Sequence, residues 1–224
     1  NILKELRSIT NQTGTVLIFD EIISGFRINI GGAQSEYNIT PDISTFGKGM
    51  ANGMPISAIV GNKKIMRKMN EIFFSSTFGG EALSLVASIE TINKIQRTDA
   101  INKMKKTGME LISGLNNIIE QSILKGAFVF MEPDWWPRLN IINVSIDITL
   151  FKSLLRQELN AAGLIINATL NLSLSHTQAD ILQETLRRFK IAIDKLSEHM
   201  RTKDPQKALK GDLMKPTFSV RPSY

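Results

Sequence analysis

An acidic residue and a lysine near the start of the chain have the types and surroundings of catalytic residues. Asp20 directly follows the apolar run 15–19, and Lys48 lies in the glycine-rich segment 46–55. An apolar run that ends in a carboxylate is typical of a buried parallel strand, and open α/β sheets bind ligands at the carboxyl ends of such strands. A carboxylate there can keep a neighbouring nitrogen protonated, and a lysine amine can bond to a carbonyl carbon. We therefore expect Asp20 to lie in a cleft.

Each of these segments also has a purely structural interpretation. An Asp-Glu pair after a hydrophobic run often caps a helix or forms a solvated turn. Gly-Lys-Gly is often a surface loop, and Ser-Thr followed by Gly-Gly, as in 75–80, is often a turn. The order and spacing of all the segments together favour the functional interpretation.

Taken together, these segments resemble the class III aminotransferases, which use pyridoxal phosphate (PLP). The resemblance rests on four segments, 17–27, 40–42, 47–48 and 75–80, and weaker similarity extends to about residue 195. It is nearest to the glutamate-1-semialdehyde aminomutase-like branch of fold type I, including its relatives in surface-polysaccharide pathways. The resemblance implies an α/β fold, namely the C-terminal part of an aspartate aminotransferase-like PLP-binding large domain, followed by a small α+β C-terminal domain.

The resemblance assigns the two catalytic roles to Asp20 and Lys48. PLP is an electron sink, so its pyridine nitrogen needs a carboxylate that keeps it protonated. Asp20 matches that carboxylate. Lys48 matches the lysine that forms the Schiff base with PLP and moves a proton between the substrate and the cofactor.

Two further positions are implied as cofactor-binding residues. Ile22 corresponds to the apolar residue that packs on one face of the pyridine ring. Thr77 corresponds to the hydroxyl residue that reaches across a dimer interface to the PLP phosphate of the partner subunit. The resemblance therefore implies a homodimer.

Composition limits the other classes of function. The 224 residues are 42% hydrophobic, which is enough for ordinary cores, and include no cysteine and two histidines. These counts exclude disulfides, provide no convincing metal site, and fit a cytoplasmic protein. The net charge of +6 is spread among acidic residues, so we read it as solvated surface and expect neither nucleic-acid nor membrane binding.

Hydrophobic spacing predicts how the chain is organised. We expect the large-domain part over 1–98, a linker helix and the small domain over 99–200, and an extended tail over 201–224. A helix over 81–96 should bury the stripe Leu85, Ile89 and Ile92. Short strands are predicted at 164–166 and 170–174, and a variant capping box at 177–180 should start the last helix. His176 is expected to act in capping.

The resemblance also leads to a functional hypothesis with open alternatives. The leading hypothesis is a PLP-dependent aminotransferase or aminomutase acting on a small amino donor and acceptor, with a possible place in surface-sugar precursor synthesis. One alternative is glutamate-1-semialdehyde 2,1-aminomutase itself, which Glu81-Ala82 weakens because an Asn-Pro pair is usual there. Because the helix 2–11 leads straight into the Asp20 strand, we expect the N-terminal half of a family member to be absent. The other alternative is therefore a truncated, non-catalytic fragment or subunit.

Overall fold

The chain folds as two compact units. The computed structural model describes residues 2–75 and 77–214, and the units comprise residues 1–102 and 103–224. Of the predicted tail, residues 215–224 lie outside the described residues, and the preceding segment includes a short 3-10 helix over Pro205–Ala208. The division predicted at residues 98 and 200 stays a prediction.

The first unit is built on a three-stranded mixed sheet. Strand β1 pairs with β2 in parallel, and β2 pairs with β3 in an antiparallel arrangement. The β1 register places Asp20 opposite Thr45. The strands are β1 (Ile18–Asp20), β2 (Ile43–Phe46) and β3 (Ala58–Gly61), and the helices are α1 (Ile2–Thr13), α2 (Gly32–Tyr37), α3 (Lys63–Met66) and α4 (Ala82–Thr98).

The Asp42 carboxylate, at the start of β2, links helix α1 and the start of β1 by an ion pair and a hydrogen bond. Its Oδ2 lies 3.0 Å from Arg7 Nη1 and accepts a hydrogen bond of 2.8 Å from the Leu17 amide. The Leu17 amide and the Arg7 guanidinium together hold the pKa of Asp42 below its usual value. The carboxylate thus joins three segments at the amino ends of both strands.

Helix α4 buries a different face from the one its sequence predicts. Glu81 caps its first turn by accepting hydrogen bonds from the Leu83 and Ser84 amides, both at 2.7 Å. The helix buries Ser84 and Ser88, whereas Leu85 and Ile89 are exposed. The predicted buried stripe is therefore wrong for Leu85 and Ile89 within this chain, and Ile92 is half-buried.

The second unit has a two-stranded antiparallel sheet and one hydrophobic core. Asn116 ties α5 to β4 by bonding both the amide and the carbonyl of Phe130, each at 2.8 Å. The core includes Phe151, Phe189 and Leu196, which are fully buried. The elements are α5 (Ala100–Glu120, beginning just before the unit boundary), β4 (Phe128–Met131), β5 (Arg138–Ile141), α6 (Ile148–Ala161) and α7 (Ala179–Met200).

The segment between α6 and α7 differs from its prediction. Residues 164–166 and 170–174 form no strand in the described chain, and only a bridge between Arg138 and Thr169 extends the sheet. The predicted capping box at 177–180 is wrong, since Gln178 precedes α7 without a side-chain cap. A capping box forms instead between Ser173 and His176, which confirms the capping role predicted for His176.

Replacing Asp42 tests how the first unit is fastened together. A carboxylate with a lowered folded pKa stabilises the fold above the ordinary aspartate pKa of about 3.9 and loses that contribution as the pH falls through the lowered value. We expect Asp42→Asn to lower the urea midpoint at pH 7, and the difference from the natural chain to shrink progressively below about pH 4. Asp212→Asn, at an exposed position, is the control. A difference that stays constant with pH would contradict this interpretation.

Candidate active site

The parallel strands bring Asp20 and Lys48 to the same edge of the sheet. Asp20 is the last residue of β1. Lys48 follows β2 after Gly47 and opens a single 3-10 turn that ends at Met50. Because the carboxyl ends of adjacent parallel strands lie side by side, the acid and the amine occupy the position where such sheets bind ligands.

One carboxylate oxygen of Asp20 accepts hydrogen bonds from the protein, and the other is free to accept one from a ligand. Its Oδ1 accepts hydrogen bonds from the Ile22 amide at 3.1 Å and from Thr45 Oγ1 at 3.4 Å. Within residues 2–75 and 77–214, no hydrogen bond reaches Oδ2, and the residue is exposed. The carboxylate is therefore oriented by the protein and keeps an acceptor for a ligand nitrogen.

Lys48 combines a constrained backbone with an unengaged amine. Its φ of 40° lies in the left-handed region. This backbone conformation is energetically unfavourable for any residue other than glycine. The turn is held by a 2.9 Å bond from the Met50 amide to the Gly47 carbonyl and by the burial of Met50 and Ala51. The amine makes no ion pair or hydrogen bond with any other described residue. The surroundings thus fix the backbone and leave the amine available.

Ile22 lies beside the same turn. A Cβ atom on Gly47 would lie 3.8 Å from Ile22 Cγ2, so the isoleucine side chain reaches the backbone next to Lys48. Ile22 is itself half-buried. Its predicted role of packing on a cofactor ring stays a prediction.

Thr77 is placed differently from the other three candidates. It is exposed, in the turn that precedes α4. No hydrogen bond joins it to Asp20 or Lys48 among the residues that the structure describes. Its predicted role toward a partner subunit stays a prediction.

Glu21 is a positioning residue that the sequence interpretation did not assign to the site. It is 1% exposed. Its carboxylate accepts hydrogen bonds from Ser24 Oγ at 2.5 Å, the Ala33 amide at 2.9 Å and the Gln34 amide at 3.1 Å. These bonds fold the segment after β1 back on itself and cap α2, so they fix the backbone that carries Ile22. The Asp-Glu pair was the available signal, but Glu21 bonds the first turn of α2 from far away in sequence, and Gly31 is the N-cap residue of that helix.

A close approach at Gly32 completes this arrangement. Gly32 has a φ of +75°, and a Cβ atom there would lie 2.6 Å from the Glu21 carboxylate. Only glycine allows both the left-handed backbone and that contact. The buried carboxylate and the glycine therefore depend on each other.

The described parts of the chain contain neither a candidate metal site nor a candidate membrane span. No group of three or more His, Cys, Asp or Glu residues there could hold a metal ion. No helix there is both long enough and apolar enough to cross a membrane.

Comparisons with known proteins find similar sequences and similar folds. The family model described as Aminotransferase class-III matches residues 1–131. Glutamate-1-semialdehyde 2,1-aminomutase of Francisella tularensis is 38% identical over 119 residues, which are 52% of this chain and 28% of that protein. The 3-aminobutyryl-CoA aminotransferase of Cloacimonas acidaminovorans is 40% identical over 121 residues, which are 54% of this chain and 29% of that protein.

Solved transaminases share the fold. The FumI protein of Sphingopyxis sp. MTA144, solved as its PLP internal aldimine, has a TM-score of 0.80 and 25% identity, covering 92% of this chain and 49% of that one. An omega-transaminase from Sphaerobacter thermophilus has a TM-score of 0.77 and 22% identity, covering 87% and 47%. These structures confirm the predicted fold class. The chain spans under a third of the curated relatives and about half of the solved chains.

The residues at the sheet edge fit the cofactor of this family, which is PLP. A pyridine nitrogen needs a carboxylate with a free acceptor, and Asp20 Oδ2 is one. An aldehyde needs an accessible amine, and Lys48 provides it. The half-buried Ile22 provides an apolar surface beside the Lys48 turn.

Two substitutions of Lys48 separate its backbone from its amine. Glycine adopts a positive φ freely, whereas alanine keeps the Cβ penalty. We expect the Lys48→Gly variant to be more stable than the Lys48→Ala variant, with a free energy of unfolding about 1 kcal/mol higher. At Lys63, in the first turn of α3, the same pair of substitutions should give the opposite order. Urea denaturation measures both pairs, and a glycine variant no more stable than the alanine variant at position 48 would contradict the strained turn.

Proposed function

Because the chain belongs to the class III aminotransferase family, we propose that Asp20, Ile22 and Lys48 hold PLP in an aminotransferase or aminomutase. The observation that carries the proposal is the placement of Asp20 and Lys48 at the carboxyl ends of paired parallel strands. One residue is an oriented carboxylate with a free oxygen, and the other is a free amine on a constrained turn.

The chemistry divides between the cofactor and these side chains. When bound, PLP supplies an aldehyde that accepts amines and an electron-poor ring that stabilises negative charge on the adjacent carbon. Asp20 Oδ2 would keep a proton on the ring nitrogen, while Thr45 and the Ile22 amide hold Oδ1 in place. Lys48 would hold the aldehyde end and carry a proton at Nζ, and Ile22 would supply apolar surface to the ring.

We propose a small amino compound as the substrate. The two relatives at 38% and 40% identity are named for an aminomutase and for an aminobutyryl-CoA aminotransferase, so an amino group on a short carbon skeleton is what they have in common. An aminomutase moves the amino group within one molecule, and an aminotransferase moves it from a donor to an acceptor. Both activities are candidates for this chain. The surface-sugar role stays a prediction. The absence of cysteine supports work in a reducing compartment such as the cytoplasm.

Borohydride labelling tests the proposed site. Incubating the purified chain with PLP, reducing with borohydride and mapping the peptides should place the pyridoxyl group on Lys48. The exposed, unengaged amine on the constrained turn should react ahead of surface lysines, because Asp20 and Ile22 hold the cofactor beside it. Mass spectrometry of the digested protein gives the modified fraction at each lysine.

Matched variants make the labelling interpretable. Lys48→Ala should lose the label, Asp20→Asn should reduce it by about tenfold at limiting PLP, and Lys63→Ala should leave it unchanged. Labelling spread evenly over surface lysines would contradict the proposal. That result would favour the alternative in which the chain is a non-catalytic subunit.

We further propose that two copies of the chain associate through the surface beside Thr77. Phe73 in the preceding loop is 97% exposed, and Phe78 directly after Thr77 is 59% exposed. Helix α4 turns Leu83, Val86 and Ile89 outward in the same unit. Apolar surface of this kind usually marks an interface. A dimer that covered it would bring Thr77 to the partner subunit, as the resemblance implies.

A charge on α4 tests this association. Val86→Asp should shift the sedimentation coefficient from dimer to monomer, because burying an unpaired carboxylate in an apolar interface is unfavourable. Ile165→Asp places the same charge at another strongly exposed aliphatic residue and should leave the dimer intact. A monomeric natural chain, or a Val86→Asp variant that still dimerises, would contradict the proposed interface.

A further inference from the structure

The second unit contains a cavity of about 430 Å³ that takes no part in the proposed PLP site. It lies between strand β5, helix α6 and the segment 166–168, with Met214 at its edge. Its volume is in the range of small-molecule pockets, about 300–1,000 Å³. All of its lining residues lie outside residues 1–131, which the family model matches.

The floor of this cavity is apolar. Leu155 and Leu159 of α6 are buried and line it, and Leu139, Ile141 and Ile166 add further aliphatic surface. Such a floor binds the hydrocarbon part of a ligand by removing it from water.

Two cations at the cavity have no acidic partner among the residues that the structure describes. Lys152 and Arg156 lie one turn apart on α6, and both line the cavity. Within the described residues neither makes an ion pair or a hydrogen bond. The cations of α7 behave differently, since Arg187 and Lys190 are paired with Glu184 and Asp194. The charge beside the cavity is therefore available to a ligand.

The chain after α7 forms part of the cavity's enclosure. The Lys210 amide donates to Gln157 Oε1 at 2.8 Å, and the Met214 amide donates to Ser153 Oγ at 2.9 Å. These bonds hold the segment 210–214 along α6, with Met214 against the cavity. The enclosure is therefore built by specific hydrogen bonds.

We propose that this cavity binds a small amphiphilic anion. The alkyl or aryl body of the ligand lies on Leu155 and Leu159, and its carboxylate or phosphate lies between Lys152 and Arg156. Guanidinium and ammonium groups are the usual partners of both anions, and the guanidinium can bind either one through two parallel hydrogen bonds. The proposal does not depend on the PLP chemistry.

Calorimetric titration of the full chain tests this site. The probes are octanoate and octyl phosphate below their micelle concentrations, uncharged octanol below its solubility limit, and inorganic phosphate. Octanoate or octyl phosphate should bind at one site per chain, at least about tenfold more tightly than octanol or inorganic phosphate. The tighter of the two amphiphiles identifies the anion that the site prefers.

Variants connect the binding to the cavity. Lys152→Ala with Arg156→Ala should weaken the preferred amphiphile by about tenfold or more. Lys103→Ala with Lys106→Ala removes the same charge from exposed positions of α5 and should leave binding unchanged. Ala168→Trp, which fills the cavity from an exposed lining position, should abolish binding while circular dichroism confirms the fold.

Three results would overturn the proposal. One is equal binding of octanol and octanoate, which would make the charges irrelevant. Another is unchanged binding in the Lys152 and Arg156 double variant. The third is a chain that binds neither amphiphile but loses self-association in Ala168→Trp, which would assign the cavity to a second copy of the chain.

Discussion

The parallel pairing of β1 and β2 is the constraint on which the candidate active site depends. It places Asp20 opposite Thr45, and a further bond of 2.9 Å from the Glu21 amide to the Thr45 carbonyl continues the pairing past the end of β1. Because both strands end at the same edge of the sheet, the turn that carries Lys48 begins beside Asp20. At the amino ends of the strands, Asp42 fastens the same pair.

The residues around this edge are fixed more firmly than a surface loop requires. The buried Glu21 carboxylate bonds three donors in the segment that follows β1. Lys48 is kept at a positive φ by a turn that ends at the buried Met50 and is followed by the buried Ala51. Constrained backbone and oriented side chains on rigid elements are typical of sites that bind and react, since they reduce the ordering needed when a ligand arrives.

Much of the first unit could be predicted because its signals are local. The apolar run before Asp20 and the glycines around Lys48 specify a strand and a tight turn within a few residues. The burial of α4 could not be predicted in this way, because periodicity shows that a helix has an apolar side but not whether this chain covers it. Leu85 and Ile89 are accordingly exposed, while Ser84 and Ser88 are buried.

The second unit was predicted less well between its last two helices. The segment 164–166 is apolar and only three residues long. Hydrophobic periodicity cannot distinguish a strand from a packed loop at that length. The cap at Ser173 was missed because His176 takes the place of the usual Glu or Gln in the capping box. The cavity beside Lys152 and Arg156 is lined by segments that are far apart in sequence. No local sequence pattern could therefore predict it.

The most direct test of the site is the protonation state of the cofactor ring in the presence and absence of Asp20. Nitrogen NMR of the chain loaded with ¹⁵N-labelled PLP should show a protonated ring nitrogen at pH 8 in the natural chain, because the Asp20 carboxylate stabilises the charge. In Asp20→Asn the signal should move to the position of the neutral pyridine. The same neutral shift in both proteins, or the same protonated shift in both, would contradict the assignment of Asp20 as the partner of the ring.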